Sequence, residues 1–246
     1  MQLIAINTIE MKKTAFIIIV LLCFGCHNAN RDTHASQTQT HEHENDTDSH
    51  AKHNDVNEHM HQSSVNDLIE QFESPERDAY QKPEEVLDYL GDITNKTIID
   101  IGAGSGYFSV KLAKKGANVI AADVNDEFLK SLQDRVEENN LQNIEVRKIP
   151  YDSPNLKNEE VDIVFIVNTY HHIENRSAYF EEVKKGTKDH RVLILIDCFK
   201  TDIPVGPPVN HKLAMDDVIT ELKKAGYTSF DIDVELLPYQ YIIKAK

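Results

Sequence analysis

Three features are scarce in this sequence of 246 residues, and each scarcity excludes a class of protein. Cysteine occurs three times, and only Cys198 lies outside an apolar N-terminal stretch, so the body of the chain has no partner for an internal disulfide. The 26 basic residues are outnumbered by 41 acidic ones, for a net charge of −15. This balance argues against a nucleic-acid backbone as the main partner, because phosphate binding needs clustered Lys and Arg. The length fits one ordinary domain with a tail, or at most two small domains.

Long apolar runs are also scarce, and the longest, residues 14–25, is shorter than the ~20 residues that a membrane-spanning helix needs. It follows two lysines and precedes Cys26, an arrangement typical of a secretory signal peptide. The end Gly25-Cys26 resembles a bacterial lipoprotein signal, in which the cysteine is lipidated, although Cys23 replaces the usual Leu three residues earlier. We therefore predict a signal segment over residues 1–26 and a membrane-anchored protein of the periplasm or cell envelope. The alternative is an uncleaved apolar segment on a cytoplasmic protein.

Histidine is concentrated in the next segment, residues 27–65, among Asn, Asp, Glu, Thr and Ser. Apolar side chains are too few there to offset the entropy of ordering, so we predict a disordered tail. Neutral imidazole binds Zn, Cu and Ni, which makes loose chelation one role for the tail, and a soluble spacer is the other. The spacing is not of the zinc-finger kind, which favours the spacer and predicts no fixed metal site. The candidate ligands are His41, His43, His50, His53, His59 and His61.

From residue 66 onward, apolar segments alternate with amphipathic ones, which predicts an α/β fold. Strands are predicted at 97–101, 118–123, 144–149, 161–167, 192–196, 230–236 and 239–244. Helices are predicted at 68–72, 83–90, 107–115, 126–140, 176–185 and 215–225, whereas residues 75–82 show little periodicity. Continuous apolar strands indicate a Rossmann-like, doubly wound and mostly parallel sheet. The last link is too short for a parallel crossover, so the final strand is predicted to run antiparallel.

The residues that suggest chemistry follow the ends of predicted strands, where ligands of such sheets bind. Residues 100–106, Asp-Ile-Gly-Ala-Gly-Ser-Gly, end one strand and open a helix, and their glycines let the backbone approach a ligand closely. The G-x-G-x-G spacing differs from the G-x-G-x-x-G of dinucleotide-binding folds. Asp100 can hold an ammonium group, and Asp123, at the end of the second strand, can accept both hydroxyls of a ribose. The sequence has no Walker motif, nucleophile elbow or metalloprotease motif.

These motifs resemble those of the class I S-adenosylmethionine-dependent methyltransferases, especially small single-domain members related to the ubiquinone and menaquinone methyltransferases. The segment 100–106 is similar to the family's first motif, Asp123 to its ribose-binding acid, and the order of elements to its seven-stranded sheet. The resemblance implies a methyltransferase domain over residues 66–246, S-adenosyl-L-methionine as cofactor, and an unidentified methyl acceptor. The cofactor-binding residues that it implies are Asp100, Gly102, Gly104, Gly106, Asp123, Asp152 and Asn168.

Further candidates lie outside the glycine-rich motif. His171 and His172 follow the fourth predicted strand, and a neutral imidazole there is a candidate general base, with helix capping or packing as the alternative. Two roles stay open for Asp152: contact with the adenine amine, or an exposed position in solvent. A segment before the sheet is expected to fold over the cofactor as a lid, with its cations holding the cofactor's carboxylate. Its candidate residues are Arg77, Tyr80, Gln81 and Lys82.

A second class of function is a non-enzymatic, membrane-tethered lipoprotein that binds metal through its His-rich tail. S-adenosyl-L-methionine is made in the cytosol, so an exported domain lacks a ready supply of it. The intact Asp100, Gly104 and Asp123 favour the enzyme, since a disused pocket has no reason to keep them. The predicted partners are a small-molecule or other methyl acceptor and, through the N-terminal segment, a membrane, but no nucleic acid.

Overall fold

The computed structural model describes residues 64–246, in which seven strands form one sheet. The predicted signal segment and nearly all of the predicted His-rich tail lie outside the described residues, so both stay predictions. Within residues 64–246, no helix combines the length and apolar character needed to cross a membrane.

The helices and strands fall close to their predicted positions. The helices are α1 (Val65–Phe72), α2 (Pro75–Gln81), α3 (Pro83–Leu90), α4 (Tyr107–Lys114), α5 (Asp126–Glu138), α6 (Arg176–Gly186) and α7 (Met215–Lys224). The strands are β1 (Thr97–Ile101), β2 (Asn118–Asp123), β3 (Ile144–Lys148), β4 (Val161–Val167), β5 (Thr187–Cys198), β6 (Phe230–Asp233) and β7 (Gln240–Ala245). Short 3-10 helices cover Tyr170–His172 and Val209–His211.

The sheet has the strand order β3-β2-β1-β4-β5-β7-β6. Strand β7 alone runs opposite to the other six strands. The prediction for the final strand is therefore confirmed. The parallel strands β1, β2, β4 and β5 end at one edge of the sheet, and β7 begins there, since Gln240 pairs with Cys198 in register. This edge collects the polar residues that follow the strands.

Two apolar clusters explain why the sheet is covered on both faces. Alternate strand residues point to opposite faces, so Ile99 and Ile101 belong to one cluster and Ile98 to the other. Helices α6 and α7 contribute to the first cluster, and α3, α4 and α5 to the second. The helices on each face bury their apolar stripes against the strands, as the sequence pattern predicts for a doubly wound sheet.

The predicted bounds are wrong at three places, each for a local reason. Helix α2 is too short to show a helical period, but Ser74 caps it by accepting the N–H of Arg77, and Pro75 opens it. Strand β5 begins earlier than predicted because its pairing with β4 shifts register, so polar residues precede the apolar run. Strand β6 ends early because the Asp233 carboxylate accepts the N–H groups that follow and turns the chain.

Candidate active site

The glycine-rich segment connects β1 to α4 through three residues with positive φ, namely Gly102, Gly104 and Gly106 at +75°, +53° and +80°. A Cβ added at Gly102 would overlap the side chain of Thr169, and one at Gly106 would overlap Leu132. A Cβ at Gly104 would meet only the Phe72 ring, at 3.6 Å. The outer glycines therefore let the loop pack against the end of β4 and against α5, and the backbone at Gly104 lies next to the segment before the sheet.

Asp100, the penultimate residue of β1, is almost fully buried, with 4% of its surface exposed. Its Oδ2 accepts the hydroxyl of Ser109 at 2.6 Å. Burial raises the pKa of the carboxyl to about 6, against an ordinary 3.8, while Ser109 and the charge of Arg77 act in the opposite direction. Burial therefore makes the ionised form of Asp100 costly, and a cation such as an ammonium group beside it would offset that cost.

We expect Asp100 to make the unfolding free energy fall as pH rises from 4 to 6.5. In this window the folded protein holds a proton on Asp100 that the unfolded chain releases, so raising the pH through the folded-state pKa of about 6 costs roughly 3 kcal/mol at most. Asp100→Asn removes this titration, and the variant should be more stable than the wild type at pH 7.5. Urea titrations across this range measure the effect. Parallel pH curves for the two proteins would contradict it.

Asp123 ends β2 and is bound by backbone groups on both sides. Its Oδ2 accepts the N–H of Gly104 at 2.8 Å, and its Oδ1 accepts the N–H of Asn125 at 2.9 Å. Burial raises the pKa of this carboxyl, and the two N–H groups oppose that rise. Asn125, rather than Asp123, caps α5 by accepting the N–H groups of Glu127 and Phe128. Each oxygen of Asp123 keeps a lone pair for a ligand hydroxyl.

Helices α1 and α2, which we call the lid, pack against the glycine-rich segment. Glu73 accepts the hydroxyl of Ser105 at 2.5 Å and pairs with Arg135. The Arg77 guanidinium lies 4.0 Å from the centroid of the Tyr107 ring and donates to the Phe72 carbonyl at 3.1 Å. Burial lowers the pKa of Arg77, and the acids nearby, which include Asp100 and Glu73, offset that effect. The segment expected to form a lid therefore packs on the glycine-rich segment, and the charge of its arginine acts on Asp100. Its role over a cofactor stays a prediction.

The two candidate histidines differ in their surroundings. His171 is 3% exposed, and its Nδ1 lies 3.1 and 3.0 Å from the two carboxylate oxygens of Asp197, which is 1% exposed. His172 is half-buried, with its ring centroid 4.2 Å from that of His171. The arrangement places a histidine and its carboxylate partner at the ends of the adjacent strands β4 and β5.

A chain of buried amides joins the lid to the same edge of the sheet. Gln81 Nε2 donates to Gln240 Oε1 at 2.8 Å, and Gln240 Nε2 donates to Asn168 Oδ1 at 2.6 Å. The Cys198 thiol, whose pKa burial raises to about 12, lies 3.8 Å from Asn168 Oδ1 and stays protonated as a donor. Asn168 has a φ of +55°. This predicted cofactor residue thus directs its side chain toward β5 and β7.

Asp152 is the exposed one among the predicted cofactor-binding residues. It is exposed in the turn after β3 and takes no part in the hydrogen bonds that join them. Ile149 is the residue that meets Asp123, through an N–H to carbonyl bond of 3.0 Å. The sequence pattern did not mark Asp197 or Gln240 as candidate site residues. Their only signal was that each is a polar residue at the end of an apolar strand.

Comparison with known sequences matches a family model, described as a methyltransferase domain, to residues 99–195. The ubiquinone biosynthesis O-methyltransferase of Acinetobacter baumannii is 29% identical over 158 residues, which are 56% of this chain and 66% of that enzyme. The match thus spans slightly less than two thirds of the relative's length.

Solved structures share the fold. A SAM-dependent methyltransferase from Aquifex aeolicus aligns with a TM-score of 0.68 and 28% identity, over 73% of this chain and 96% of that one. The phosphoethanolamine N-methyltransferase 2 of Haemonchus contortus, solved with phosphomonomethylethanolamine and S-adenosylhomocysteine, aligns with a TM-score of 0.55 and 15% identity. This alignment covers 62% of this chain and 38% of the Haemonchus chain, and it shows the fold alone. The predicted α/β class and sheet are confirmed.

Proposed function

We propose that this protein, which contains a class I S-adenosylmethionine-dependent methyltransferase domain, transfers the methyl group of S-adenosyl-L-methionine to a small-molecule acceptor. The observation that carries the proposal is the pair of buried acids, Asp100 and Asp123, on either side of the glycine-rich segment. Each acid lies at the carboxyl end of its strand, the edge at which such sheets bind ligands.

The charges at this edge fit the cofactor group by group. Asp100 suits the ammonium of the methionine part, because a cation beside it would stabilise the ionised carboxylate that burial disfavours. Arg77 suits the carboxylate of that part, and Asp123 suits the ribose hydroxyls. Ammonium and carboxylate belong to the same end of the cofactor, and the charges of Arg77 and Asp100 correspondingly act on each other.

The protein's contribution to the reaction is positioning. When bound, the cofactor supplies a methyl group on a positively charged sulfur, which a nucleophile displaces in line. The residues of β1, β2 and the lid hold the cofactor, while the ends of β4, β5 and β7 surround the space for the acceptor. Holding two reactants in such an orientation is worth roughly 7–11 kcal/mol of the barrier.

A small molecule is favoured as acceptor by two observations. The net charge of −15 disfavours a polyanion such as RNA. The name of the Acinetobacter enzyme indicates a small acceptor for that protein. The alternative metal-binding role would depend on the tail. Among residues 64–246, no group of three or more His, Cys, Asp or Glu side chains is arranged to hold a metal ion.

We expect the full chain to bind S-adenosylhomocysteine at one site, with an affinity that depends on Asp123. Calorimetry should show binding of S-adenosylhomocysteine to the wild type but not of ATP, which shares the adenosine but carries phosphates where the pocket has acids. The matched control is Asp126→Asn, which removes an exposed carboxylate three residues further on and should bind like the wild type. A folded chain that does not bind S-adenosylhomocysteine would overturn the proposed function.

A further inference from the structure

The contact between His171 and Asp197 orients the imidazole ring and restricts which of its nitrogens carries the proton. Asp197 is the penultimate residue of β5, and His171 belongs to the 3-10 helix that follows β4. The two strands pair in register up to Val167 and Ile196, so both side chains stand at the same edge of the sheet. Both carboxylate oxygens are about equally far from Nδ1, which presents the imidazole edge to the carboxylate.

The surroundings of Asp197 decide which nitrogen carries the proton. Its Oδ1 also accepts the backbone N–H of Cys198 at 2.8 Å, which holds the carboxylate in place. A carboxylate with 1% exposure needs donors, and an ionised one can only accept hydrogen bonds. The imidazole therefore places its proton on Nδ1, and the lone pair of the neutral ring lies on Nε2. No hydrogen-bond partner for Nε2 lies among residues 64–246.

The topology puts His171 close to the strands that carry the two acids. Asp123, at the end of β2, is two strands from β4, or about 10 Å at the usual strand spacing. Asp100 is on β1, the strand next to β4, so a cofactor held at Asp123 and Asp100 would lie beside the strand that His171 follows. Thr169 touches Gly102 and lies two residues before His171 in the chain.

We propose that Asp197 is a positioning residue that holds His171 in the Nδ1–H form, and that Nε2 accepts the proton of an acceptor whose nucleophile is a hydroxyl, an N–H or a thiol. This inference rests on the proposed function. The acceptor's X–H bond breaks and its proton moves to Nε2. The electron pair on X forms the new bond to the methyl carbon, and the pair of the broken carbon–sulfur bond stays on the sulfur, which becomes neutral. A tertiary amine or a thioether has no such proton and falls outside the predicted class.

The tautomer of His171 is measurable without knowing the acceptor. Long-range proton–nitrogen NMR on the full chain with ¹⁵N-labelled histidine, at pH 8, should show His171 with a protonated Nδ1 and an unprotonated Nε2. His171→Asn identifies the signal by its loss. In Asp197→Asn the amide oxygen can keep the Cys198 N–H while the amide N–H faces Nδ1, so the proton should move to Nε2. Asp202→Asn, an exposed change just beyond β5, should leave the spectrum unchanged.

A wild-type spectrum with the proton on Nε2, or on both nitrogens, would overturn the assignment even if Asp197→Asn fails to fold. So would a folded Asp197→Asn in which the tautomer does not change. Binding of S-adenosylhomocysteine to the same wild-type sample separates the two levels of the argument. The Nδ1–H form without cofactor binding would reject the proposed function, whereas cofactor binding with the other tautomer would reject only the role of Asp197.

Discussion

Asp123→Ala is expected to lower the affinity for S-adenosylhomocysteine by roughly 10- to 150-fold, because two ribose hydroxyls lose a charged acceptor worth about 1.5–3 kcal/mol. The same change also removes the acceptor of the Gly104 N–H inside the protein. The unfolding free energy should therefore fall by about 1–3 kcal/mol, which is the cost of a buried, unpaired donor. Calorimetry and urea unfolding on one preparation measure both effects.

Asp123→Asn tests whether the charge or the shape of the side chain matters. The amide keeps one acceptor oxygen, which can serve the N–H of Gly104 or that of Asn125 but not both. Both losses should therefore be smaller than in Asp123→Ala. Asp126→Asn, at an exposed carboxylate, is the matched control for both measurements. A loss of stability with unchanged affinity would mean that Asp123 only braces the glycine-rich segment, and it would refute its ribose-binding role.

Gly102→Ala is expected to destabilise the fold by roughly 2–5 kcal/mol, the sum of left-handed backbone strain and overpacking. The residue has a φ of +75°, and its added Cβ would overlap the Thr169 side chain. Relief of that overlap displaces the glycine-rich segment, which holds the cofactor in the proposed function, or the end of β4, which lies against that segment. Binding of S-adenosylhomocysteine should therefore be lost as well, which calorimetry would show alongside the lower melting temperature.

Gly116→Ala separates the two causes, because Gly116 also has a positive φ, +91°, but its Cβ would meet Thr94 only at ordinary contact distances. It should lose about 1–2 kcal/mol from backbone strain alone and keep its cofactor affinity. Adding Thr169→Ala to Gly102→Ala should recover part of the loss. Equal losses in the two single glycine variants, with no recovery in the double variant, would show that the close packing at Gly102 is unimportant.

The sequence by itself determined the features whose cause is local. The strands are apolar runs of the right length, and the turn over residues 100–106 is specified by glycines at the positions where the chain must adopt positive φ. The direction of β7 followed from the short link before it, which permits only an antiparallel neighbour. Asp123 was identifiable as a candidate site residue because it is the one acid at the end of its strand.

Tertiary structure alone decided which of these residues meet. Asp197 and His171 come together because β4 and β5 are neighbours in the sheet, and Gln81 meets Gln240 across 159 positions of sequence. Such pairs have no spacing that a sequence pattern can show, since their separation depends on loop lengths that do not affect the contact. Asp152 is exposed in the turn after β3, and its contact with the adenine amine stays a prediction. A polar residue at a strand end becomes part of a site only when the strand order supplies its partner and burial makes that partner necessary.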